Sequence, residues 1–410
     1  MTRKFSILLG LVLALALTAC GAVPADAWPT LVTDGQRAYV AFSAHVYAID
    51  LSNGKQVWTF PVTAASDSGG FFSFLSPSPS APNGSATNFY AEPALADDLL
   101  VVSGVRPAGS HSGVVFGLDP ATGEARWCVA FDDRGAAAEN PDSLTCRTPN
   151  SPAARGFLGV APPIDNRIIG GVTLKDGLLY FGLASGSVHA VDAAEGVFQW
   201  PAAFRAEEAV WAAPYVDDET IYVTSLGHFV YALDRATGAE KWKQDLGAAI
   251  GGGAVAADGL VYVGTFGNKF YALDAGTGQE RWSLSTNNWV WSTPVLREGV
   301  VYFTDLAGGV FAVDAATGAP KWTATPGGPL RAAPTVTDDA LYVGDKTGKL
   351  FALDRATGAV RWTKDDVKGQ LLTTPLVVGD VLLVTPFEGD NLLAAYTTSG
   401  AFKWGFAPSR

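Results

Sequence analysis

Four histidines and three cysteines are the side chains in this sequence best suited to metal binding or nucleophilic attack. The histidines, His45, His111, His189 and His228, share no metal-type spacing. His189 falls in a strand position that Tyr231 fills one repeat later, which marks it as a packing residue. The acidic residues Glu92, Asp305 and Asp345 are scattered one to a repeat, the last two in ordinary loop positions. No Gly-x-Ser-x-Gly elbow, Walker loop or His-Glu-x-x-His pair occurs. The chemistry-bearing residues therefore point to a protein that binds rather than catalyses, with no metal and no cofactor expected.

Cys20 carries a different chemistry. Arg3 and Lys4 precede an apolar run over 5–16, too short to span a bilayer comfortably and readable as an export signal. The run ends in Leu17-Thr18-Ala19-Cys20, which resembles the bacterial lipobox. There the Cys thiol is thioether-linked to diacylglycerol and the new amino group is acylated. Several acyl chains anchor stably where one is marginal. The expected organisation is a lipoprotein signal peptide over 1–19, an anchor and linker over 20–27, and one folded body over 28–410. Cys128 and Cys146 remain in the exported chain, and a disulfide between them is expected. Closing that loop would contribute about 3 kcal/mol.

Charge narrows the partners. Lys plus Arg is 28 and Asp plus Glu is 40, a net charge of −12. Such a surface repels phosphate backbones, so nucleic acid is not an expected partner. Hydrophobic residues at 48% supply ample material for a core.

What must position any binding surface is a repeat. Tyr231-Ala-Leu-Asp234-Arg-Ala-Thr-Gly238-Ala-Glu-Lys-Trp242 recurs with Asp274, Gly278 and Trp282, with Asp314, Gly318 and Trp322, and with Asp354, Gly358 and Trp362. Looser copies place Trp58, Trp127 and Trp200, and a last one keeps Gly400 and Trp404. Each copy holds four short β-type runs separated by Gly- and Asp-containing turns. About 40 residues with four strands is the period of a propeller blade. The expected fold is all-β, an eight-bladed β-propeller with four antiparallel strands per blade. Each blade should be contiguous, with no strand exchanged to close the ring. The Gly supplies a positive φ, the Asp accepts from turn amides, and the Trp covers the neighbouring blade. This pattern resembles the tryptophan-docking repeat of the pyrroloquinoline-quinone family of eight-bladed propellers, whose members include many non-enzymatic proteins.

Successive tryptophans of the repeat are spaced 69, 73, 42, 40, 40, 40 and 42 residues apart, so insertions fall at about 61–90 and 129–169. Both lie on the face that carries the connections between blades, where long loops serve recognition. Tyr90, Ile169, Trp211, Ile250, Trp291, Arg331 and Leu372 stand three residues before the inner-strand Pro or its equivalent. They are expected to ring the mouth of the central funnel, a surface suited to a protein partner.

Signal, anchor, size and eight such repeats resemble the accessory lipoproteins of the machinery that assembles β-barrels in the bacterial outer membrane. In that family a Leu-Arg-Gly-Glu-Ser-Ala-Pro loop helps bind the central barrel subunit. Leu330-Arg331-Ala332-Ala333-Pro334 is similar, but two residues shorter and without Gly-Glu-Ser. The resemblance implies a protein-binding scaffold in the outer membrane facing the periplasm, with envelope proteins of a β-barrel assembly complex as partners. It implies Leu330 and Arg331 as contacts. A quinone-dependent dehydrogenase and a glycan or small-ligand binder are the alternatives for the same funnel. The adjacent Cys-Cys pair usual beside the quinone is absent, as is any Cys-x-x-Cys-His.

Overall fold

Runs such as Leu260–Thr265 and Lys269–Asp274 combine β-branched and aromatic residues, the first starting after Asp258-Gly259 and the two joined through the Gly267-Asn268 turn. They pair as an antiparallel hairpin with Val261 opposite Leu273. Val255–Ala257 adds on one side and Glu280–Ser285 on the other, so one repeat makes one four-stranded sheet in sequence order. The two middle strands are buried along most of their length, because neighbouring sheets cover both faces. The outer strand alternates exposed and half-buried residues, one face packing and the other meeting water.

The computed structural model describes residues 28–61, 87–89, 91–96, 98–105, 113–131 and 165–408. Cys20, Tyr90, His111, Cys146 and most of both insertions lie outside these residues. Sheets of this kind occupy residues 30–60, 88–131, 173–205, 215–245, 255–285, 295–324, 335–364 and 376–406, here blades 1 to 8. The protein is an all-β, eight-bladed propeller. Blade 2 gains a short extra strand, Asn88–Phe89, at the end of the first insertion. No helix among the described residues is long and apolar enough to cross a membrane.

The core lies between blades rather than at the centre. Tyr180 and Val188 of blade 3 pack with Ile221 and Tyr231 of blade 4. Leu31 and Val40 of blade 1 pack with Leu383 and Phe406 of blade 8, which closes the ring. Blades 1 and 8 each consist of their own consecutive strands, and no strand crosses the seam. The Thr385 hydroxyl donates across it to the Pro29 carbonyl at 3.1 Å.

Each repeat tryptophan docks on the next blade. The Nε1–H of Trp58, Trp127, Trp200 and Trp242 donates to the carbonyls of Pro120, Ala193, Arg235 and Ala275 at 2.8–3.1 Å. Trp282, Trp322 and Trp362 do the same to Ala315, Arg355 and Thr398 at 2.9–3.1 Å. Trp404 completes the circle on Leu51 at 3.2 Å. The turn glycine has two reasons to be glycine. Gly278 has φ 75°, and a Cβ there would come within 2.6 Å of the Trp242 ring. Gly54 stands in the same relation to Trp404, also at 2.6 Å. The turn is thus a seat for the indole as well as a left-handed bend. The repeat Asp braces it: Asp274 Oδ1 accepts from the Thr277 amide and hydroxyl.

Candidate functional site

Two families of loops meet on one face: the connections from outer to next inner strand, and the turns between second and third strands. They bond each other directly. The Leu306 amide donates to the Trp289 carbonyl, the Phe266 amide to the Ala249 carbonyl, and the Asn287 amide to Asp305 Oδ2 at 3.1 Å. Asp305 and Asp345 are fully buried and accept from backbone amides, Asp305 from Ala307 and Gly309, Asp345 from Gly328, Thr347 and Lys349. These carboxylates hold loops together, as their loop positions suggested.

Each connection ends in two successive positions with opposite fates. The first holds Ile168, Val210, Ile250, Val290, Leu330 and Leu371, all at most 1% exposed. The amides of Val210, Ile250, Val290, Leu330 and Leu371 donate to the preceding blade at the carbonyls of Leu183, Ser225, Thr265, Asp305 and Asp345. Leu330 is therefore corrected: it seals blades 6 and 7 against Tyr302, Leu341 and Phe351, and is 1% exposed, so it offers no surface to a partner. Ile250 is likewise a seal, and Gly251 takes its place at the funnel, because the missing proline at Ala254 hid the register. The second position carries Ile169, Trp211, Trp291, Arg331 and Leu372, half-buried at the mouth.

The structure brings these together as a line of rings rather than a circle. The Arg331 guanidinium lies 4.0 Å from the Trp28 ring centroid and 4.8 Å from that of Trp291. Trp291 continues to Trp211 at 6.2 Å and to Phe266 at 4.8 Å. Phe266 in turn stacks nearly parallel on Trp289, 4.8 Å and 14° apart. Because Trp28 enters before blade 1 and Trp211 before blade 4, the line crosses the mouth. Ile169 and Leu372 take no part in it. Each cation–π contact of this kind contributes about 0.5–2 kcal/mol. Burial pulls the Arg331 pKa down to about 10, which leaves it charged at neutral pH. Its guanidinium carbon lies over both indoles, and among the described residues no carboxylate pairs with its N–H groups.

Trp28, Phe266 and Trp289 escaped the sequence reading. Aligning the repeats position by position would have found Trp289, the one aromatic where four other connections have Arg167, Ala209, Ala249 and Pro329, as their matching carbonyl bonds show.

Two other titratable groups picked out in the sequence, Glu92 and His189, have displaced pKa values. Glu92, just before Pro93, keeps an open surface although protein surrounds it, and that desolvation raises its pKa. His189 is 8% exposed among Phe131, Phe181 and Phe198, with centroids at 5.0–5.8 Å. Desolvation, aided by the nearby Arg205 charge, lowers its pKa to about 3. Among the described residues no three His, Cys, Asp or Glu side chains are grouped to hold a metal. Cys128 is 1% exposed on the outer strand of blade 2, opposite Phe116.

Compared with known proteins, the sequence matches the family model described as outer membrane protein assembly factor BamB over residues 42–158, 111–229, 226–331 and 306–409. No curated protein matches it. Among solved structures, BamB from Moraxella catarrhalis is similar with a TM-score of 0.62 at 17% identity, over 94% of this chain and 97% of that one. The computationally designed Ika8 protein is similar with a TM-score of 0.67 at 13% identity, over 91% of this chain and 96% of its own. Identities this low bear on the fold alone.

Proposed function

Because this chain belongs to the family of the outer membrane protein assembly factor BamB, we propose that it is a non-catalytic envelope lipoprotein whose funnel face docks another protein of a β-barrel assembly complex. The observation that carries this reading is Arg331: a desolvated cation 4.0 and 4.8 Å from the ring centroids of Trp28 and Trp291, with no carboxylate partner among the described residues. Clamped arginines flanked by tryptophans are the residue types on which binding energy concentrates. A rigid guanidinium also loses little entropy when a partner arrives. Tyr90, Trp211, Trp291 and Leu372 complete the proposed contact surface. Cys20 supplies the lipid anchor, and the body stands on the periplasmic side of the outer membrane.

In-cell crosslinking of the full-length lipoprotein, followed by copurification from detergent-solubilised membranes, tests this. A barrel-assembly core protein should be recovered, and Arg331→Ala should reduce the recovery at least about tenfold, equivalent to about 1.4 kcal/mol. Trp211→Ala, which leaves the Arg331 clamp in place, should weaken it in the same direction. Recovery of nothing above background from the unaltered protein would sink the reading, as would undiminished recovery in both variants.

We also propose the Cys128–Cys146 bridge as the tie between the second insertion and its blade. Peptide mapping of the unreduced protein should yield the linked pair. Two alkylatable thiols in the secreted protein would overturn it.

A further inference from the structure

Trp289 has no counterpart that the fold demands. At the same point of four other connections stand Arg167, Ala209, Ala249 and Pro329, each accepting the same backbone bond from the next loop. The blade therefore closes without an indole there. Trp289 is nevertheless 43% exposed, the largest aromatic surface left open among the described residues apart from Phe402. It is also held still: Phe266 backs one face at 4.8 Å and 14°, and Trp291 backs Phe266. One face of a fixed indole is left to the solvent.

Its neighbours along the chain are uncharged amides and hydroxyls, and the one carboxylate bonded to them, Asp305, is fully buried and takes the Asn287 backbone amide. From Thr286 to Thr293 the chain carries no formal charge, within a protein of net charge −12. Asn287 is exposed, and its side-chain amide bonds nothing among the described residues. Asn288 Oδ1 accepts from the Trp289 amide at 2.8 Å, which fixes that side chain and leaves its NH2 free to donate. The Thr286 hydroxyl is spent on the Asn288 carbonyl at 2.7 Å, so the turn is stiff. A flat apolar face with planar amides at its edge matches the flat C–H face and rim hydroxyls of a pyranose. The absence of charge selects against acidic or basic ligands.

We propose that Trp289, Asn287 and Asn288 form a binding site for neutral glycan chains of equatorially linked pyranoses. The sugar ring lies on the open face of Trp289, and the two amides bond its hydroxyls. Preorganisation by Phe266 removes the ordering cost that a loose surface tryptophan would bear. The site does not rest on the docking reading above, since none of its residues belongs to that contact surface.

The whole chain, titrated with cellohexaose and with chitohexaose by calorimetry and tryptophan fluorescence, tests the proposal, with a decaproline peptide in parallel. At least one oligosaccharide should bind with a dissociation constant of about 1 mM or tighter. Trp289→Ala should weaken that binding tenfold or more, and Asn287→Ala severalfold. Both variants should melt with the unaltered protein, because Ala209 and Ala249 already occupy the Trp289 slot elsewhere in the ring. No saturation by either sugar up to about 10 mM, binding that survives Trp289→Ala, or binding of decaproline alone would each overturn it.

Discussion

Replacing Trp404 with Ala is expected to lower the stability of the propeller by about 2–3 kcal/mol, below the range for deleting a fully buried aromatic because the indole is half-buried. The indole rests on Gly54, bonds the Leu51 carbonyl at 3.2 Å and packs on the cluster that joins blade 8 to blade 1. The half-buried indole removes only part of the about 150–250 Å² that a fully buried tryptophan takes from water, and its hydrogen bond adds about 0.5–1.5 kcal/mol net. Trp404 differs from its seven counterparts in one respect: the two blades it joins are not consecutive in sequence. Trp282→Ala should cost a comparable amount in equilibrium stability, yet blades 5 and 6 stay linked by the chain. The distinguishing measurement is hydrogen exchange under native conditions. With Trp404→Ala, protection should fall first over residues 30–60 and 376–406, and with Trp282→Ala it should not. A loss below about 1 kcal/mol for Trp404→Ala would contradict the docking argument.

The second large effect concerns acid. In the unfolded chain His189 titrates near 6.5; among Phe131, Phe181 and Phe198 its pKa falls to about 3. Between those values the unfolded state carries the extra proton, so acidification favours unfolding. The stability from keeping His189 neutral is complete above about pH 6.5 and is lost as pH falls toward 3, at up to about 1.4 kcal/mol per unit. His189→Phe should remove this term. The position accepts aromatics, since Tyr231, Phe311 and Phe351 occupy the matching third-strand place in other blades. Denaturant unfolding at pH 7, 6 and 5 should show the unaltered protein losing about 2 kcal/mol more than the variant. The lowered carboxylates, Asp274 and Asp354 among them, act at lower pH and leave this window clear. Parallel stability curves for the two proteins would mean that His189 is protonated inside the fold.

Most of the fold was legible because its determinants recur. Trp, Gly and Asp at fixed offsets state a blade eight times over, and hairpin turns state its strands. The second role of the glycine was not legible, since the indole that lies on Gly278 comes from Trp242, a full repeat earlier. The site was harder to read for the same reason. Leu330 and Arg331 are adjacent in sequence, but one wedges between blades while the other turns into the funnel. Only the sheet geometry separates them. Trp28 meets Arg331 across the mouth with some 300 residues between them, a contact that no local pattern encodes. Departures from the repeat single out Trp289, because the fold is satisfied at the same place in other connections without an aromatic residue.

The seam between blades 8 and 1 uses the same indole bond and the same glycine seat as every joint that the backbone spans. The ring thus has no first blade: the order of stringing and the order of standing are separable, and a circularly permuted chain opened at another connection would meet the same partners. Architecture leaves open the joint at which the polypeptide enters the ring. In this protein the described chain enters at Trp28, beside Arg331, so the entry of the polypeptide and the line of rings share one side of the disc.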